Sequence, residues 1–230
     1  MTREEVRAQI ECMGIIPSVR VTSAADAMFA SSAVFRGGIP IVELTMTIPD
    51  VLSVIADLCA SHPELLVGAG TILDPEEALR SMEAGARFLT SPGLDQDIMQ
   101  FAKERGVAVI PGALTPSEVM MARKAGADFV KIFPCAHVGG PAYMRALKAP
   151  FPKVHLIASG GVNQKTAGDF IRAGATGLGI GVELIPPEAV RTRNEDWIRE
   201  LSRRFLGIVK EARAQVAHRN QALPETKDFD

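Results

Sequence analysis

Short apolar runs alternate with longer amphipathic ones along most of this chain. Strand-length runs fall near 15–21, 39–46, 65–71, 87–92, 107–113, 129–134, 154–160 and 176–181. Each is rich in Val, Ile and Leu on both faces, the pattern of parallel strands covered from both sides. Between them the apolar positions recur with a helical period. Helix starts are marked by Thr2 with Glu5 three residues on, by Ser23, by Asp74-Pro75, by Thr115-Pro116 and by Asn163. Helix ends are marked by glycine ahead of the next run, at Gly37, Gly85, Gly106, Gly126 and Gly174. Proline at Pro63, Pro150 and Pro152 fills the two longer gaps. The repeating unit is one strand and one helix, eight times over.

Eight such units predict an α/β fold, a closed (β/α)8 TIM barrel, in preference to an open doubly wound sheet. Residues 2–13 form an extra N-terminal helix. One barrel domain is expected over 1–217. A polar tail containing Pro224 is expected to fray over 218–230.

Composition narrows the function. Among 230 residues, 47% are hydrophobic and 23% charged, and the net charge is -2. With one Trp and one Tyr, the chain has neither the basic excess nor the aromatic platforms of a nucleic-acid binder. No apolar run approaches the roughly 20 residues of a membrane span, and MTREEVRAQI is too charged for a secretory signal. Nucleic-acid and membrane partners are therefore not expected. Three scattered cysteines, Cys12, Cys59 and Cys135, fit a reducing cytoplasm better than a disulfide framework. Four scattered histidines and no Cys-x-x-Cys leave no expected metal site.

Barrel chemistry sits at the C-terminal strand ends, on inward positions. In the second strand, Glu43 and Thr45 share one face while Val42 and Leu44 take the other. In the sixth, Lys131 shares its face with Phe129 and Phe133. Ionisable groups inside apolar runs are either paired or functional. A salt bridge across the barrel accounts for the pair, but Arg20, Thr71, Thr90 and Pro92 fall inward at the same end. Burial keeps part of a lysine population as free amine. A free amine beside a carboxylate is equipped for Schiff-base chemistry on a carbonyl. The seventh strand ends Ala158-Ser159-Gly160-Gly161-Val162 and the eighth ends Gly177-Leu178-Gly179-Ile180-Gly181, followed by Val182. These loops commonly bind phosphate in barrels, so Gly160, Gly161, Val162, Gly181 and Val182 are candidate phosphate contacts. Tight turns alone are the alternative reading of the glycines. The spacing matches neither a dinucleotide fingerprint nor a Walker loop.

Glu43-Leu44-Thr45, Val67-Gly68-Ala69-Gly70-Thr71, Thr90-Ser91-Pro92-Gly93, Ile110-Pro111-Gly112, Lys131-Ile132-Phe133-Pro134 and Gly160-Gly161-Val162 stand in this order. Order and spacing together resemble the KDPG/KHG class I aldolases. The resemblance covers roughly residues 14–185. It implies a metal-independent, cofactor-free homotrimer that cleaves a 2-keto-3-deoxy sugar acid 6-phosphate reversibly to pyruvate and glyceraldehyde 3-phosphate. It also implies roles: Lys131 as the Schiff-base lysine and Glu43 as general acid/base. Arg20, Thr45, Thr71, Pro92 and Phe133 become substrate contacts. Two departures stand out. Thr47 occupies a position where one branch of the family carries arginine, and Val182 replaces a phosphate-binding serine, with the carboxylate Glu183 beside it. They keep open an unphosphorylated substrate, 4-hydroxy-2-oxoglutarate cleaved to pyruvate and glyoxylate. A phosphate-binding barrel without covalent chemistry, an isomerase or binding protein, is the alternative of another class.

Cys135 and His137 follow the lysine motif closely enough to reach the site mouth, but residues so placed are more often loop or packing elements. His155 reads as a satisfied structural histidine, Met120 and Met121 as helix packing. Arg199, Arg203 and Arg204 read as a charged face with i,i+4 partners. Trp197 reads as an anchor for the last helix, on the barrel or on a neighbouring subunit.

Overall fold

The computed structural model describes residues 1–222. Its strands are β1 (Ile15–Val19), β2 (Ile41–Thr45), β3 (Leu66–Gly70), β4 (Phe88–Thr90), β5 (Ala108–Ile110), β6 (Gly112–Ala113), β7 (Val130–Ile132), β8 (Leu156–Ser159) and β9 (Gly177–Ile180). Every pairing is parallel, in the order β5-β4-β3-β2-β1-β9-β8-β7-β6. The two ends of that order, β5 and β6, are halves of one expected strand split at Pro111. Proline has no N–H to donate, so the ladder breaks there. Its carbonyl still accepts from the Lys131 N–H at 2.9 Å. The sheet thus closes through a single chain segment that pairs with β4 on one side and β7 on the other, and the architecture is the expected TIM barrel.

Around it lie α1 (Arg3–Met13), α2 (Ala24–Arg36), α3 (Val51–Ser61), α4 (Pro75–Glu83), α5 (Gln96–Arg105), α6 (Pro116–Lys124), α7 (Gly140–Lys148), α8 (Ala167–Arg172), α9 (Pro187–Arg191) and α10 (Glu195–Ala222). Four of the expected start signals act as caps. Thr2 and Thr115 form reciprocal capping boxes with Glu5 and Glu118, while Ser23 and Asp74 accept from Asp26 and Glu77 N–H groups. Each such cap stabilises its helix by about 1 kcal/mol. Asn163 behaves differently: its side chain accepts from the Lys165 and Thr166 N–H groups, closing a turn before α8 begins at Ala167. At the end of α2 it is Gly38 (φ 98°), not the helical Gly37, that takes the left-handed conformation.

The fully buried aromatics Phe88, Phe129, Phe170 and Phe205 fill the core. A Cβ on Gly68 would lie 2.3 Å from the Phe88 ring, so the absent side chain on β3 makes room for the ring on β4. The extra helix α1 packs Val6 and Ile10 against β5 and β9 at the N-terminal end of the barrel. Arg3 pairs there with Asp128 at 2.9 Å. That leaves the opposite end open. Helix α10 packs on α2 and α8, and Arg213 donates from it to the Glu11, Cys12 and Thr176 carbonyls.

Three expectations are corrected. Helix α10 runs on to Ala222, through the start of the expected tail; residues 223–230 lie outside the described residues. Trp197 is 41% exposed, so it does not anchor α10 in the barrel. Met120 and Met121 are exposed too, because the buried stripe of α6 is Val119 and Ala122. Among the described residues no helix is long and apolar enough to cross a membrane.

Candidate active site

A cavity of about 390 Å³ opens at the C-terminal ends of the strands. Each wall comes from the end of a different strand, which is how the fold gathers residues distant in sequence. From β1 come Ser18 and Arg20, and Thr71 and Pro92 follow β3 and β4. Lys131 and Phe133 come from β7, and Ser159 through Val162 from β8. Gly179, Gly181, Val182 and Glu183 complete the ring.

Lys131 lies deepest among the charged lining groups. Its side chain is 14% exposed and its Nζ lies 3.9 Å from Oε2 of Glu43, itself 5% exposed. The separation exceeds ordinary hydrogen-bond length, so the amine is paired electrostatically without being locked to the carboxylate. Nζ also lies 5.5 Å from the centroid of the Phe133 ring, a cation–π distance. The other carboxylate oxygen, Oε1, accepts from the Ser18 hydroxyl at 3.0 Å. Ser18 and Glu43 are direct partners in the β1–β2 register. A Cβ on Gly70 would fall 2.7 Å from Oε1; the glycine leaves the space that the carboxylate uses.

Ten of the residues singled out from the sequence line the cavity: Lys131, Arg20, Thr71, Pro92, Phe133, Gly160, Gly161, Val162, Gly181 and Val182. Glu43 lies behind that lining, against Lys131. Thr45 is not brought to the cavity. It is fully buried, its hydroxyl donating to the Val19 carbonyl at 3.0 Å and accepting from Thr47 at 3.2 Å. Thr47 is likewise outside the lining. Gly160 and Gly161 have φ near +84° and +85°, and a Cβ on Gly161 would strike that of Ala136 at 2.4 Å. Arg20 and Lys131 are the cationic lining side chains, and Glu183 is the anionic one.

Cys135 and His137 do not line the cavity. The Cys135 thiol faces the Gly160 carbonyl, and burial pushes it up to about 11, which keeps it a protonated thiol at neutral pH. His155 sits at the opposite end of the barrel, between Glu11 (3.3 Å) and Arg7 (2.9 Å).

Ser18, Ser159 and Gly179 were not singled out from the sequence, although parity carried the signal for two of them. Ser18 is two residues before Arg20, and Gly179 two before Gly181, so each shares a face with a residue read as inward. Among the described residues, no three His, Cys, Asp or Glu side chains converge as metal ligands would.

Fold and site together define a TIM barrel with a lysine–carboxylate pair at the cavity on the C-terminal ends of its strands. A model of the KDPG and KHG aldolase family matches residues 6–201. The 2-dehydro-3-deoxy-phosphogluconate aldolase of Pseudomonas aeruginosa is 33% identical over 84% of this chain and 87% of its own. The KHG/KDPG aldolase of Escherichia coli K12 is 30% identical over 82% and 89%. Among solved structures, the KDPG aldolase of Legionella pneumophila, with pyruvate captured as a covalent carbinolamine, superposes with a TM-score of 0.81 at 30% identity. It covers 86% of this chain and 96% of its own. The chain belongs to the KDPG and KHG aldolase family.

Proposed function

We propose that this chain is a class I aldolase that cleaves a 2-keto-3-deoxy sugar acid 6-phosphate reversibly to pyruvate and glyceraldehyde 3-phosphate. The observation that carries the reading is the buried pair of Lys131 and Glu43 at 3.9 Å beside the cavity. Lys131 Nζ adds to the C2 ketone to give a carbinolamine, which loses water to an iminium. Glu43 takes the proton from the C4 hydroxyl. The C3–C4 bond then breaks, its electrons flow into the iminium, and the aldehyde leaves. Glu43 returns a proton to C3 of the resulting enamine. Water hydrolyses the iminium, freeing pyruvate and the lysine. Phe133 and Pro92 wall the keto acid, and Thr71 contacts it. Arg20 and the backbone at Gly160, Gly161, Val162, Gly181 and Val182 face the distal phosphate.

Borohydride reduction in the presence of pyruvate tests the chemistry. A mass increase on Lys131, abolished in Lys131→Ala, is expected. An unmodified chain under conditions that trap a control aldolase would overturn the reading, in favour of a non-covalent phosphate-binding barrel.

A second reading is favoured by Val182 and Glu183, which line the cavity. Valine offers no hydroxyl, and a carboxylate repels phosphate at short range. The same chemistry on an unphosphorylated 4-hydroxy-2-keto acid, such as 4-hydroxy-2-oxoglutarate, answers both features. A kcat/KM preference below about tenfold for the phosphorylated member of a matched pair, about 1.4 kcal/mol of transition-state binding, selects this second reading. A cytoplasmic homotrimer is proposed from the family resemblance and the three free cysteines; a monomer in sedimentation would overturn the assembly.

A further inference from the structure

We infer that Ser18 is a positioning residue for proton transfer: its hydroxyl holds Oε1 of Glu43 so that Oε2 is presented to the lysine and its adduct. The inference rests on the aldolase reading and extends it to a residue with no assigned part. Among the described residues, Ser18 is the side chain that hydrogen-bonds Glu43, at 3.0 Å. The β1–β2 register sets the two directly opposite one another. Around the same oxygen the walls are otherwise bare of donors in use. Gly70 contributes only space, and the buried Thr90 hydroxyl, 2.1 Å from the point where a Gly70 Cβ would fall, has no partner.

The chemistry explains why a hydroxyl suits this position. Glu43 gains and loses a proton in each turnover, so its neighbour must serve both states. A serine hydroxyl donates to the carboxylate and, by rotating, accepts from the acid. Without it a buried carboxylate oxygen loses its protein donor and the group is free to turn, which misaligns Oε2.

The test separates amine chemistry from proton transfer. Two rates are read with pyruvate: borohydride trapping on Lys131, and deuterium incorporation into the pyruvate methyl group in D2O. For Ser18→Ala, trapping at saturating pyruvate is expected to stay near that of the unmodified protein, while exchange falls about tenfold, a typical effect of losing a hydrogen bond to a charged group. Ser18→Thr is expected to restore exchange. In a Glu43→Gln background, Ser18→Ala is expected to change exchange no further, because its effect runs through the carboxylate. Unchanged exchange in Ser18→Ala, or a further fall in the Glu43→Gln background, overturns the positioning role. Failure of trapping in the unmodified protein instead overturns the aldolase reading itself.

Discussion

Gly70 offers the sharpest test of how the Glu43 carboxylate is accommodated. Its φ lies outside the left-handed region, so alanine is permitted by the backbone and the obstacle is purely steric. A Cβ there would sit 2.1 Å from the Thr90 hydroxyl oxygen and 2.7 Å from Oε1 of Glu43. Both are far inside van der Waals contact, and both belong to buried side chains on neighbouring strands, not to the free ends of flexible ones. Overpacking of this kind costs about 1–3 kcal/mol, which for a chain of this size lowers the thermal midpoint by about 2–12 °C. Gly70→Ala should therefore fold less stably, and it should lose turnover because Glu43 has to move. Adding Thr90→Ala removes the 2.1 Å clash but leaves the 2.7 Å one. The double variant is expected to regain much of the stability without regaining kcat. Thermal denaturation and a pyruvate-coupled assay read the two quantities separately. Unchanged stability and kcat in Gly70→Ala would refute the steric argument. Full recovery of kcat in the double variant would show that the carboxylate had not been displaced.

Two further outcomes follow from other parts of the fold. Gly106 ends α5 with φ at +63° and open space where a side chain would project, so Gly106→Ala meets only backbone strain; denaturant unfolding should show a loss of about 1–2 kcal/mol, with kcat unchanged. His155 has its imidazole held below the ordinary 6.5, chiefly by burial and then by Arg7 and Lys148 against the opposing pull of Glu11. The unfolded chain therefore binds the proton more readily, and stability is lost as pH falls from about 6.5 through the lowered value. In His155→Asn that part of the stability–pH curve, followed by chemical denaturation, should flatten.

Much of the barrel is readable from the sequence because its signals are local. A strand buried on both faces must be apolar throughout, and a helix must cap its unpaired N–H groups, so the eight runs and the signals at Thr2, Ser23, Asp74 and Thr115 follow from nearest neighbours. Where the reading fell short, the deciding partner was remote or the local signal had two uses. Pro111 breaks the fifth strand locally, but that one half pairs with β4 and the other with β7 is set by strands remote in sequence. Asn163 closes a turn as readily as it caps a helix. The apolar bodies of Met120, Met121 and Trp197 do not reveal that their helix faces point away from the core.

At the site, strand parity and the family resemblance were enough to single out Glu43 and Lys131, since an ionisable group inside an apolar run stands out against the cost of burying charge. The 3.9 Å between them, the Ser18 hydroxyl on Oε1 and the diversion of Thr45 to the Val19 carbonyl were decided by the closed barrel alone. These depend on the register between β1 and β2 and on how far side chains project across the interior. A sequence states which face a residue takes; only strands brought side by side determine which atom it meets.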